Sequence, residues 1–266
     1  MSISTTLIER AEIRFQEAAD ALRRYVGCFW VVTAECDATI RVVPDGTTAI
    51  SIQRQNSGFS EWFLRGPLLR PDERRFTAPA TLVGVRLRPG VAFMLSGIPA
   101  NSTVDRRIGL SQCAAFRELV SIDPSEHTSA QCIDALQRFL INRLENSNVH
   151  DVVATALAEI DREHGCLPVA DVAARCGVSP RHLNRLMRLW LGYGPKRYAG
   201  IVRFQATLMQ MEHAPEQSVA LLASESGYFD QAHLTGDVAR FAGATPGHLI
   251  SRGMSDFSKT RCDDLL

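Results

Sequence analysis

Two segments in the C-terminal hundred residues repeat one another, and this repeat dictates most of what the chain can fold into. LPVADVAARCGVSPRHLNRLMRLWLGYGP runs parallel to VALLASESGYFDQAHLTGDVARFAGATP. Ala173 falls on Ala223 and Gly177 on Gly227, both fifty apart. After one extra residue in the second turn, Leu183 falls on Leu234, Met187 on Val238, Gly192 on Gly243 and Pro195 on Pro246, all fifty-one apart. In the first copy Val169, Val172 and Ala173 form an apolar stripe, and Cys176-Gly177 ends the helix with a residue that tolerates the left-handed turn. Ser179-Pro180 then opens the next helix, a capping hydroxyl followed by Pro at the first helical position. The pattern predicts two helix-turn-helix units, about 168–191 and 218–242, joined by a helix within about 195–213. That linker spans roughly 27 Å at 1.5 Å per residue, of the order of the ~34 Å between successive major-groove faces of a duplex.

Charge is concentrated in the same region. Between Asp171 and Glu212 lie forty residues without Asp or Glu, carrying Arg175, Arg181, Arg185, Arg188, Lys196, Arg197 and Arg203. The whole chain is neutral, with 29 basic and 29 acidic residues, so bulk charge does not drive it onto nucleic acid. Any DNA binding must come from this local patch.

On the helix that follows Ser179, Leu183, Leu186, Met187 and Trp190 repeat at i, i+3, i+4 and i+7 and form the expected core stripe. Arg181, Arg185 and Arg188 point to the opposite side, flanked by His182 and Asn184. Arg can donate two parallel hydrogen bonds to guanine, and Asn can do the same for adenine. Arg181 and Arg185 are the expected base readers; Arg188, Lys196 and Arg197 are the expected phosphate contacts. Ser179 serves as a cap or as a phosphate contact. The corresponding face of the second unit is Ala232, Gly236 and Ala239, flanked by Gln231, His233, Thr235 and Arg240. From 217 to 252 two bases, Arg240 and Arg252, stand against Glu225, Asp230 and Asp237. The first unit is therefore expected to carry most of the affinity and base reading. Three arginines on one helix face can also be an ordinary solvated face; the repeat and the acid-free stretch weigh against that.

Residues 155–252 resemble the DNA-binding module of AraC/XylS-type transcriptional regulators. The resemblance rests on Gly227-Tyr228, Leu234, Val238 and Gly243-Ala-Thr-Pro246 in the second unit, and on Tyr198, Arg203 and Ala206 in the linker. The chain departs from that family at Gly236, where an Arg is usual, and at Val238, where a Phe is usual. The resemblance implies a bacterial regulator that binds double-stranded promoter DNA, with RNA polymerase as a partner and activation as the sign. It also implies a sensing or dimerising N-terminal domain, hence a small-molecule effector and a homodimer.

The N-terminal half carries a different pattern. Residues 5–24 read as an amphipathic helix containing Leu7, Ile8, Ile13, Phe15, Ala18 and Leu22. YVGCFWVVT, TIRVVPDGTTAISIQ, SEWFLRGPLL and ATLVGVRLRPG are short apolar runs broken by Pro, Gly and Asp, which predicts an antiparallel sandwich or barrel over roughly 25–100. Asp45-Gly46 reads as a hairpin or bulge turn. AQCIDALQRFLINRLEN sets Ile133, Leu136, Leu140 and Leu144 at helical spacing, and the helices 129–145 and 5–24 are the expected self-association surfaces. Ile133, Leu136, Leu140 and Leu144 can equally pack on the chain's own sheet. Asn146-Ser147-Asn148 marks the boundary. The expected class is α+β: a β-rich domain over 1–146, an all-helical DNA-binding domain over 150–252, and a tail over 253–266.

Within the first domain Trp30 and Trp62, together with Arg86 and Arg88 on one face of VGVRLRPG, are the candidate effector site. The bland alternatives are an aromatic core and a solvent-facing strand edge. All seven histidines lie after residue 126, so the domain lacks the clustered His ligands of a cupin-like metal site. Ser60, Ser96 and Ser102 lack a nucleophile-elbow context. No catalytic residue, metal or cofactor is expected. Seven scattered cysteines without a CxxC point to reduced, mostly buried thiols in a cytoplasm; the resemblance implies a bacterial one, with the protein on the nucleoid when DNA is bound. No window approaches the ~20 apolar residues of a membrane span. Two other functions stay open: a DNA-modifying or repair protein addressed by the helical module, and a non-specific architectural DNA binder.

Overall fold

A computed structural model describes residues 6–9, 11–55, 60–123, 126–145 and 147–251. Asn146, Arg252, Cys262 and the tail 253–266 lie outside the described residues.

Side-chain alternation over residues 6–109 builds two antiparallel sheets. The strands are β1 (Thr6–Glu9), β2 (Glu12–Gln16), β3 (Val26–Ala34), β4 (Ala38–Val42), β5 (Thr48–Gln55), β6 (Ser60–Arg65), β7 (Asp72–Phe76), β8 (Ala80–Leu87) and β9 (Arg107–Gly109). The larger sheet has the order β2-β3-β8-β5-β6-β9 and the smaller β1-β4-β7. The central strands of the larger sheet are buried on both faces. Phe29, Ile50, Ile52, Trp62, Leu64, Val83, Val85 and Leu87 face helices. Val32 and Leu82, with Trp30 and Ile13 at the edge, face the small sheet and meet Ile40 and Phe76.

The helices of this half are α1 (Val91–Ser96), α2 (Arg117–Val120) and α3 (Ser129–Leu144). Thr128 and Gln131 form a capping box that starts α3. Ile133, Leu136, Leu140 and Leu144 are buried against the large sheet. That face is therefore covered by the chain itself and is not a self-association surface; Ile141, 39% exposed, points outward.

Residues 5–24 correct the expected helix. They form β1, β2 and a short 3-10 turn at Asp20–Leu22. In β2 Ile13 and Phe15 turn inward between exposed Glu12, Arg14 and Gln16, a period of two that a short segment also allows to be read as a helical stripe. Asp45-Gly46 is likewise no hairpin turn. It joins β4 to β5, which belong to different sheets, and Gly46 takes φ +81° there.

The second half is all helical: α4 (Asp151–Arg162), α5 (Val169–Arg175), α6 (Pro180–Leu191), α7 (Pro195–His213), α8 (Val219–Glu225), α9 (Gln231–Ala242) and α10 (Pro246–Ser251). The pairs α5–α6 and α8–α9 are the two copies of the repeat. Leu183, Met187, Leu234, Val238, Phe204 and Phe241 build one core around α7.

The two halves are in direct contact. Val43 belongs to the helical core, Pro44 accepts a hydrogen bond from Gln205 on α7, and Gly46 lies against the Tyr198 ring. Trp190 at the end of α6 meets Phe93 of α1 edge-on, centroids 4.8 Å apart, while Gly192 fits against Ala100 and Val104. Leu69 packs against the helical core, and Pro71 reaches the end of the second unit at Gly243. A glycine at 192 is required twice over, by its φ of +89° and by the 2.5 Å that a Cβ would leave to Val104.

Candidate nucleic-acid interface and sensor cleft

The two units use the same local devices. Gly177 and Gly227 close their first helices at φ +67° and +70°. Val178 and Tyr228 then donate back to the carbonyls of Ala173 and Ala223. Ser179 caps α6 by accepting from the His182 amide at 3.2 Å, and Asp230 caps α9 by accepting from the His233 amide at 2.7 Å. Of its two expected roles, Ser179 performs the capping one.

The arginine row of α6 lies where the sequence puts it. Arg181, Arg185 and Arg188 are exposed, share a face at i, i+4 and i+7, and stand opposite buried Leu183, Leu186 and Met187. Among the described residues none of the ion pairs involves them, so their charge is unspent. Lys196 is exposed and Arg197 half-buried in the first turn of α7. His182 is half-buried, its Nδ1 3.5 Å from an Arg185 nitrogen. Asn184 is exposed, but its Oδ1 is turned toward Gly194, 2.1 Å from where a Cβ on that residue would stand. Trp190 closes the expected stripe: it is half-buried, packs against the helical core and also meets Phe93 of the other half.

Two bases of the acid-free stretch have internal partners instead. Arg175 binds Glu159 at 2.6 Å and Glu163 at 3.3 Å, and the Arg175 hydrogen bond holds the Glu159 carboxyl below the usual glutamate range. Arg203 lies over the Tyr228 ring at 5.0 Å and donates to the Gly227 carbonyl, tying α7 to the second turn.

On α9 Gln231, His233 and Arg240 are exposed and Thr235 is half-buried. His233 stacks edge-on against Tyr228 at 5.1 Å, with Asp237 at 3.9 Å. Gly236 faces open space. The sequence reading missed Phe229, which is 93% exposed. It is the extra residue that shifts the repeat from fifty to fifty-one, so the offset itself was the available signal.

The N-terminal half holds a small cleft between its two sheets, of about 50 Å³. Ile13, Phe15, Val32, Ile40, Val42 and Leu82 are among its walls, and Trp30, Arg65, Arg74 and Arg86 also line it. Trp30 and Arg86 are thus candidate effector residues that do meet at one cleft. Trp62 does not: it points to the opposite face of the sheet, 2% exposed, among residues packed with α3. Nor does Arg88, which follows the end of β8 and donates to the Arg23 carbonyl at 2.9 Å. Arg86 is no solvent-facing strand residue either; it is 7% exposed and 3.8 Å from Asp45.

Among the described residues, no group of three or more His, Cys, Asp or Glu is arranged to hold a metal ion. No described helix is long and apolar enough to cross a membrane. Of the six described cysteines, Cys28 and Cys132 are buried, Cys113 and Cys176 half-buried, and Cys36 and Cys166 exposed, so burial is less general than expected.

Two capped helix-turn-helix units on one connecting helix, with a bare basic row on the first recognition helix, define a DNA-binding module of transcription regulators. Residues 172–252 match the family described as a helix-turn-helix domain, and this part of the chain is an AraC-type helix-turn-helix domain. Residues 15–109 match a domain of unknown function, DUF6597. Among solved structures, ToxT from Vibrio cholerae at 1.65 Å resolution is similar, with a TM-score of 0.43 at 9% identity over 92% of this chain and 98% of that one. Unsaturated fatty acid-bound wild-type ToxT from Vibrio cholerae strain SCE256 gives 0.42 at 10% identity, over 94% of this chain and 96% of that one. No curated protein matches the chain.

Proposed function

We propose that the chain is a sequence-specific regulator of transcription that acts on promoter DNA, as an activator, chiefly through α6. The observation that carries this reading is the row Arg181, Arg185 and Arg188, exposed and without ion-pair partners among the described residues, on a helix with a capped start and a buried opposite face. Arg181 and Arg185, nearer the start of α6, read base edges; Arg188, Lys196 and Arg197 neutralise phosphates. Asn184 and His182 flank the row. Gln231, His233, Thr235 and Arg240 give the second unit weaker contacts, because Gly236 and the small residues beside it offer little reach. RNA polymerase is the protein partner, and a small-molecule effector acts on the N-terminal half. A homodimer on the apolar face of α3 is not part of this reading, since that face is filled.

The test is selection of duplexes from a random pool by the full chain, at several salt concentrations, followed by sequencing. A defined motif that Arg185→Ala abolishes supports the reading. Salt-sensitive retention without a motif favours an architectural binder and sinks it. A promoter-reporter assay with the recovered motif reads the sign of regulation.

A further inference from the structure

The insertion that shifts the repeat from fifty to fifty-one leaves one aromatic side chain outside the protein. In the first unit Val178 follows Gly177, donates to the Ala173 carbonyl and packs against the helical core. Ser179 caps α6 directly after it. In the second unit Tyr228 takes the place of Val178: it donates to the Ala223 carbonyl and is buried. Phe229 is then left between Tyr228 and the Asp230 cap, 93% exposed.

No need of the fold accounts for this residue. An apolar side chain just before a helix cap often packs on the fourth residue of the helix, which here is Leu234. Leu234 is instead enclosed by the helical core, and Phe229 stays in solvent. Its ring forgoes the roughly 150–250 Å² that aromatic side chains bury. A lone exposed apolar side chain says little by itself; the place of this one says more. It stands at the N-terminal end of α9, and the second helix of a helix-turn-helix meets base edges through its N-terminal residues.

Two further observations select the feature of a duplex that suits it. Residues 226–232 hold Asp230 and neither Lys nor Arg, so this corner is not built for phosphates. The face of α9 that follows is Ala232, Gly236 and Ala239, all exposed, with open space at Gly236. Side chains this short allow a close approach and offer no hydrogen bonds. What an apolar ring beside such a face can distinguish in the major groove is the C5-methyl group of thymine.

We infer that Phe229 is the base-reading residue of the second unit, and that it reads thymine by covering the C5-methyl, with Ala232 beside it. This rests on the DNA-binding reading above and deepens it: the first unit reads through arginine hydrogen bonds, the second through apolar contact. The thymine lies about one helical turn, ~10 base pairs, from the bases that Arg185 reads.

The full chain is titrated, by fluorescence anisotropy, onto the duplex recovered from the random pool. It is also titrated onto copies in which each thymine in turn is deoxyuridine, a change that removes only the methyl. One such replacement, about one helical turn from the bases relaxed by Arg185→Ala, should weaken the parent about fourfold, the worth of one buried methyl group. Phe229→Ala should bind the thymine duplex no better than the parent binds the uracil one, and should no longer distinguish the two. It should also unfold at the parent's temperature, because the ring packs on nothing, so a binding loss is not a folding loss. Parental affinity in Phe229→Ala, a parent indifferent to every uracil, or two losses that simply add overturns the inference. If Phe229→Ala keeps its DNA affinity but drives a reporter promoter less, the ring meets a protein and the inference fails. A motif that depends on Arg185 and not on Phe229 removes this inference alone; a pool that returns no motif removes the DNA-binding reading with it.

Discussion

Trp190, at the end of the first recognition helix, packs edge-on against Phe93 of the N-terminal half, ring centroids 4.8 Å apart. The helix that carries the DNA-facing arginines is thus gripped at its far end while Arg181, Arg185 and Arg188 stay exposed. Control of this module by the N-terminal half need not work by covering the basic row; it can work by changing how firmly the row is held. Trp190→Ala should destabilise the full chain by about 2–3 kcal/mol, below the range for a fully buried Trp because this one is half-buried. Denaturant unfolding measures the loss, and an unchanged midpoint would mean that the contact contributes nothing.

The two kinds of arginine on α6 should separate in binding assays. Arg185→Ala should cost about 1–3 kcal/mol and relax preference at one base position, whereas Arg188→Ala should weaken all sequences alike and reduce the salt slope by about one. Gln231→Ala and Thr235→Ala should each cost less than Arg185→Ala. Equal or larger losses at those two positions would reverse the ordering of the units.

Gly236 is a helical residue with nothing near the position of its missing Cβ. Gly236→Ala should raise stability by up to ~1 kcal/mol through helix propensity alone. Gly236→Arg restores a side chain common in the resembling family and should steepen the salt dependence of DNA binding. A destabilised alanine variant would show that α9 is held differently.

Acid should act on the join between α4 and α5. Arg175 keeps Glu159 below its ordinary value of 4.5 in the folded chain. The folded state therefore holds this proton less well than the unfolded one, so the stabilisation is complete above 4.5 and declines as pH falls through the lower folded value. The parent should lose stability in that window more steeply than Arg175→Ala. Unfolding temperatures followed from neutral to acid pH for both proteins give the comparison, and parallel curves would count against the pair.

The helical half was readable because its signals are local. Ser179-Pro180, Gly177, Gly192 and the 3.6-residue stripe each specify a turn or a face within a few residues, and the repeat supplies each signal twice. The capping role of Asp230 follows from the same alignment, although as an acid it seemed only to subtract charge. The N-terminal half depends on pairings far apart in sequence. Nothing near Arg65 indicates that Ala49 will separate it from Arg86, and nothing near Trp62 shows that its side of the sheet will be covered by α3. In β7 the run Asp72-Glu73-Arg74-Arg75 has no apolar alternation to mark a strand, yet it pairs with β4 and carries Arg74 into the cleft. In residues 5–24 two periodicities competed, and partners on β3 and β4 decided for strands.

The segment from Val43 to Thr47 bears on how such regulators can be recombined. The polar break near 146–150 invites a cut, and a chimera joined there would preserve every strand and helix on either side. It would still lose the fit of Pro44 to Gln205 and of Gly46 to Tyr198, because each pair is split between the donors. Exchange of sensor halves between relatives therefore has to match these four positions as well as the Trp190–Phe93 and Gly192–Val104 contacts, and they tie five residues of a β-domain loop to the inheritance of the DNA-binding half.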